Sequence, residues 1–159
     1  MTDFARLLAA LAEAEVEFIV IGGFAATAHG SAHVTVDLDV VYARSPANIS
    51  RLSQALEPFE PYLRGAPPGL PFRFDVPTIE RGLNFTLRTT IGDLDVLGEA
   101  TGGGTYDALL PHTERRLVFG RETLIVDLET LIRLKRAAGR PKDLERIAEL
   151  EAIADEGKG

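Results

Sequence analysis

Cysteine is absent from this 159-residue chain, which excludes disulfides and thiolate metal sites and fits a reducing compartment. Long apolar runs are absent too. No stretch approaches the roughly 18–20 residues of a membrane span, and the opening Met1-Thr2-Asp3-Phe4 has no basic n-region of a secretory leader. The expectation is a cytoplasmic protein with no membrane contact. An excess of positive charge is also missing. The net charge of −7 argues against a protein that coats nucleic acid non-specifically. One local exception stands out: Arg133, Lys135, Arg136, Arg140, Lys142 and Arg146 face only Asp143 and Glu145 in the same stretch. A solvated helix face and an anion-binding patch both fit that run.

Proline is sparse outside residues 57–82, where Pro58, Pro61, Pro67, Pro68, Pro71 and Pro77 make six of the nine. That segment cannot be a long regular element. A loop of this length in a compact domain is functional or mobile, and Phe59, Tyr62, Phe72 and Phe74 predict that it packs onto the rest of the chain.

What is present suits one domain over residues 1–159. Hydrophobic residues make up 45%, and a chain of this size buries roughly 70% of its unfolded surface. The core is expected over 17–126 and C-terminal helices over 127–156. Thr2 would cap a helix over 3–15, whose stripe is Phe4, Leu7, Leu8 and Leu11. Residues 17–21 read as a strand covered on both faces, ended by Gly22-Gly23. A short helix from Phe24 to His29 stops at Gly30, with His29 bonding to carbonyls. Over 35–42, Val36, Leu38, Val40 and Tyr42 alternate with Asp37, Asp39 and Val41. Ser45-Pro46 opens a further helix. Hairpins are predicted over 83–98, turning near Ile91-Gly92, and around Gly120-Arg121. Asp127 caps a helix stopped by Gly139. Pro141 starts another, with Leu144, Ile147, Leu150 and Ile153 spaced by three and Gly157 at its end.

The chemistry concentrates in Ile19 to Val40. Asp37 and Asp39 share one strand face roughly 6–7 Å apart at the backbone. Two ionised acids beside a buried strand repel one another, and a divalent cation relieves the conflict. Oxygen ligands without cysteine favour Mg2+ or Mn2+ over zinc. Gly22-Gly23 lies between a strand and a helix, where backbone N–H groups can approach phosphate closely. Asp95, framed by Leu94 and Val96, supplies a third acid on a strand that could lie beside the first. Asp93 competes with it but sits nearer the turn. Three acids on adjacent strands are what metal-assisted phosphoryl or nucleotidyl transfer requires.

Ile21-Gly22-Gly23, a thirteen-residue gap and Asp37-Leu38-Asp39-Val40 resemble the signature of the DNA polymerase β-like nucleotidyltransferase superfamily, and Leu94-Asp95-Val96 resembles its third-acid element. Residues 129–135 and 138–143 are similar to the C-terminal motifs of the abortive-infection, toxin-type nucleotidyltransferases and their bacterial relatives. The resemblance implies an α/β (α+β) fold, a mixed and mostly antiparallel sheet flanked by helices, with C-terminal helices. It implies Asp37, Asp39 and Asp95 as metal ligands, with Asp95 also the base for an incoming hydroxyl. It puts Gly22 and Gly23 at the triphosphate of an NTP, Lys135 on its phosphates, and Arg140 and Lys142 nearby.

The implied activity is Mg2+-dependent transfer of an NMP from an NTP to an acceptor hydroxyl, releasing pyrophosphate. The acceptor would be an RNA end such as that of tRNA, a protein or a small molecule. The alternative is a catalytically weak binding module of a toxin–antitoxin pair, with an antitoxin as partner. Two positions depart from the pattern. Gly23 stands where many transferases carry serine. His33 stands where relatives often carry arginine, either as a pH-dependent substitute or as a loop histidine without a role.

Overall fold

A computed structural model describes residues 1–141 and 143–158. The chain runs α1 (Phe4–Glu13), β1 (Phe18–Ile21), α2 (Gly22–Ala28), β2 (Asp37–Tyr42), α3 (Pro46–Leu56), β3 (Tyr62–Leu63), α4 (Val76–Arg81), β4 (Asn84–Thr89), β5 (Gly92–Leu97), β6 (Glu99–Ala100), β7 (Gly104–Thr105), α5 (Tyr106–Leu109), β8 (Thr113–Val118), β9 (Arg121–Val126), α6 (Leu128–Ala138) and α7 (Asp143–Lys158). Seven strands form one sheet in the order β3-β4-β5-β2-β1-β9-β8, while β6 and β7 pair separately. β2 runs parallel to β5 and β1 parallel to β9, and the other neighbours in the large sheet are antiparallel. The fold class is therefore the expected one, a mixed and mostly antiparallel sheet flanked by helices. Among the described residues no helix is long and apolar enough to cross a membrane.

The core follows from the alternation. Leu38, Val40 and Tyr42 of β2 and Leu94 and Val96 of β5 are buried against Leu7, Leu11, Leu52 and Leu56 of the helices. Val41 is fully buried as well, because central β2 is covered on both faces at its far end, while Val36 precedes the strand and is 69% exposed. Asp127 caps α6 and Gly139 ends it with φ of 65°, as predicted. Ser45 caps α3, accepting from the Asn48 N–H at 3.2 Å.

Several expected details differ. Asp3, not Thr2, caps α1, accepting from the Arg6 N–H at 3.1 Å. The Thr2 hydroxyl instead donates to the Val36 carbonyl and accepts from the Asp93 N–H, tying the N-terminal arm to the start of β2 and β5. Helix α2 begins at Gly22 itself, and α7 begins at Asp143, after Pro141, and runs past Gly157. Leu144 is 69% exposed while Leu150 is fully buried. A stripe spaced by three drifts about 60° per step around a helix with 3.6 residues per turn, so one packed face cannot hold Leu144 and Ile153 together.

The proline-rich segment packs onto the sheet as its aromatics predicted. It contributes edge strand β3, helix α4 and a T-shaped Phe74–Phe85 contact at 5.3 Å. The Arg64 N–H donates to the Thr86 carbonyl at 3.0 Å, extending the β3 pairing by one residue.

Candidate active site

Parallel pairing of β2 with β5 sets Asp37 opposite Asp93 and Asp39 opposite Asp95. Period-two alternation then places all four acids on one face. One carboxylate oxygen each from Asp37, Asp39 and Asp95 lies within 4.8 Å of the others. Asp93 is not part of this trio. Its Oδ2 instead faces Arg64 Nε at 3.5 Å.

The crowding has an electrostatic consequence. The Asp39 carboxyl is pushed up to about 8, by burial first, then by the charges of Asp37 and Asp95 and by a hydrogen bond to Asp95. Asp95 is also raised, chiefly by burial. Asp39 Oδ1 is buried without any hydrogen-bond partner. An orphaned oxygen and a retained proton among three acids fit a divalent cation, which would take oxygen ligands and displace the proton.

Two glycines shape the approach. Gly22 has φ of +70°, and a Cβ there would stand 2.1 Å from Asp39 Oδ2, so only glycine closes the β1–α2 turn against this carboxylate. A Cβ at Gly23 would stand 2.7 Å from Thr35 Oγ1. That hydroxyl donates to the Asp37 carbonyl at 3.1 Å. The serine common in related signatures has no room here, because Thr35 fills the space.

Lys135 lies on the inward side of α6 and is 7% exposed. Burial pulls its ammonium below the ordinary value, while Asp143 and Asp39 pull the other way. Gly22, Asp39, Lys135 and Arg140 line one hollow of about 380 Å³, whose apolar wall includes Leu97, Leu131 and Leu134. Five expected site residues (Gly22, Asp39, Lys135, and through the acid trio Asp37 and Asp95) therefore converge. Arg140 reaches the same hollow but pairs with buried Asp143, Nε to Oδ2 at 2.9 Å. Lys142 falls outside the described residues.

Two histidines near the site have defined partners. His29 Nε2 lies 2.8 Å from the Val126 carbonyl, so it carries the proton and leaves Nδ1 to accept from Arg116 at 3.3 Å. His33, read either as a pH-dependent substitute for arginine or as a loop histidine without a role, has a definite partner. Its Nδ1 lies 3.0 Å from Glu149 Oε1 on α7.

Sequence reasoning missed Arg64. It reaches across β4 into the acidic face, with Nη2 2.8 Å from Asp95 Oδ1 and Nη1 3.7 Å from Asp37 Oδ2. Nη2 also donates to the Leu87 carbonyl at 2.8 Å. No local signal separated it from Arg73 or Arg81 in the same proline-rich stretch. Only recognising Tyr62–Leu63 as an edge strand would have aimed it.

No protein-family description and no curated protein matches the sequence, whereas solved structures match its fold. LnuA, a lincosamide antibiotic adenylyltransferase solved with lincomycin bound, superposes with a TM-score of 0.62 at 16% identity, over 96% of this chain and 98% of that one. The antibiotic-resistance factor ANT(2'')-Ia superposes with a TM-score of 0.57 at 16% identity, over 97% of this chain and 81% of that one. A crystal structure of ANT(2'')-Ia with adenylyl-2''-tobramycin superposes with a TM-score of 0.56. The chain has the nucleotidyltransferase fold.

Proposed function

We propose that this chain transfers a nucleoside monophosphate from an NTP to a hydroxyl of a small-molecule acceptor, with Mg2+ or Mn2+ held by Asp37, Asp39 and Asp95. The observation that carries the reading is the convergence of those three carboxylates beside Gly22 and Lys135. A bound divalent ion would supply positive charge for the triphosphate and the developing oxyanion. The chain's own groups do the rest. Gly22 lets the β1–α2 turn close against Asp39, so that its backbone lines the hollow that would take the triphosphate. Lys135, desolvated and facing the hollow, neutralises phosphate charge. The apolar wall of Leu97, Leu131 and Leu134 excludes water and covers the nucleoside. Asp95 takes the proton of the acceptor hydroxyl as the acceptor oxygen bonds to the α-phosphorus, and the bond from the α-phosphorus to pyrophosphate breaks.

A small acceptor is supported by two observations. LnuA and ANT(2'')-Ia are described with lincomycin and adenylyl-tobramycin, both small molecules. Half of the basic run that would have suited tRNA is also spoken for, with Lys135 turned inward and Arg136 and Arg140 paired with Glu151 and Asp143. The convergent acids support catalysis over a binding module of a toxin–antitoxin pair.

The test is transfer of label from each α-labelled NTP to a panel of aminoglycosides, lincosamides and cell-extract metabolites. The expected result is transfer by the wild type that falls at least a thousandfold in Asp37→Asn, given how much of the barrier a bound ion carries. Absence of transfer from every NTP, together with no NTP binding by calorimetry, refutes the proposal.

A further inference from the structure

We propose that Arg64 is the built-in counter-cation of the acidic face and sets its affinity for divalent ions, which bind there against its charge. The proposal rests on the reading that Asp37, Asp39 and Asp95 hold such an ion. It does not depend on which acceptor is used.

The placement of Arg64 is specific. Its backbone is fixed at the end of β3 by the bond to Thr86, and its guanidinium is anchored by the Leu87 carbonyl. One guanidinium then meets three acids: Asp95 at 2.8 Å, Asp93 at 3.5 Å and Asp37 at 3.7 Å. It therefore bridges Asp37 and Asp95, two of the three carboxylates that converge, reaching them across β4, whereas Gly22 and Lys135 line the hollow beside Asp39. Four carboxyls on paired strands without a cation would repel one another strongly. Arg64 relieves that repulsion in the ion-free protein. The same positive charge a few ångströms away weakens any cation that shares Asp37 and Asp95. Arginine suits this position because its planar fork spans several oxygens at once and never loses its proton. Arg64 is thus a positioning residue: it acts on Asp95 and Asp37, not on the reacting atoms.

The test is Mn2+ binding to the whole chain without nucleotide, followed by electron paramagnetic resonance and calorimetry, for wild type, Arg64→Gln and Arg64→Lys. The expected result is at least tenfold tighter Mn2+ binding in Arg64→Gln, with Arg64→Lys within a few-fold of wild type because the charge is kept. Should Arg64→Gln be unfolded alone, millimolar Mn2+ is expected to refold it by replacing the lost cation, and failure to refold overturns the proposal. Equal or weaker binding in a folded Arg64→Gln also overturns it while leaving the metal site standing. Absence of Mn2+ binding in all three proteins overturns the metal site and the role of Arg64 with it.

Discussion

Asp39 shows how one residue reports on its surroundings. A carboxyl raised to about 8 by burial and by two neighbouring acids binds a proton in the folded state that the unfolded chain has released. Between the ordinary carboxylate value and about 8, stability in the absence of ions therefore falls as pH rises. Asp39→Asn removes the titration. With chelator present, Asp39→Asn is expected to exceed the wild type by roughly 2–4 kcal/mol at pH 8 and by much less at pH 4. Urea denaturation at the two pH values measures this, and equal gaps at both refute it. Gly23 carries a second lesson at this scale. Its departure from the common serine looked like a lost hydroxyl, yet Thr35 Oγ1 occupies that space from twelve residues downstream. Sequence reading could name the departure but had no means of naming its neighbour.

Elements differ in how far local chemistry defines them. Helix α6 was legible from end to end because its cap and its terminal glycine are both local signals. Helix α7 was not, because its position is decided by contacts outside it. Glu149 accepts from the Ser31 hydroxyl, the Ala32 N–H and His33, which clasps α7 to the loop before β2. Those bonds, the one from Ser31 foremost, lower the Glu149 carboxyl to about 2. A lowered acid contributes stability above its unfolded value that is lost as pH falls through the folded one. Glu149→Gln is expected to melt below the wild type at pH 6, with the gap narrowing as pH falls from 5 toward 2. Thermal melts across that range check it, and a constant gap would assign the effect to packing alone. The segment 57–82 is the complementary case. Its prolines excluded a long element, but β3 is only Tyr62–Leu63, too short for a periodicity to register, and it is this pairing that delivers Arg64.

At the scale of the whole molecule, charge decides among acceptors. The net charge of −7 already disfavoured polyanions. Folding goes further, since of the basic run Arg136 and Arg140 are ion-paired and Lys135 is buried, which leaves Arg133 and Arg146 among the described residues. Binding of mixed tRNA is expected to be weaker than ~10⁻⁵ M at physiological salt, with a log–log salt slope no steeper than about −2. Filter binding at several salt concentrations measures both, and a steep slope with tight binding would return RNA to the list of acceptors.

By itself the sequence determined the strand with Asp37 and Asp39, the glycine turn before it, the hairpin with Asp95 and the capped helix with Lys135. Each of these depends on residues within one or two turns of chain, where alternation, capping and glycine conformation act. Only the tertiary structure decided that β5 lies parallel to β2 in a register that seats Asp95 beside Asp39 and leaves Asp93 to Arg64. Strand order, the packing of Thr35 against Gly23 and the reach of Arg64 are set by burial and pairing between residues far apart in sequence. A one-residue shift of that register would put Asp93 and Asp95 on the opposite face from Asp37 and Asp39.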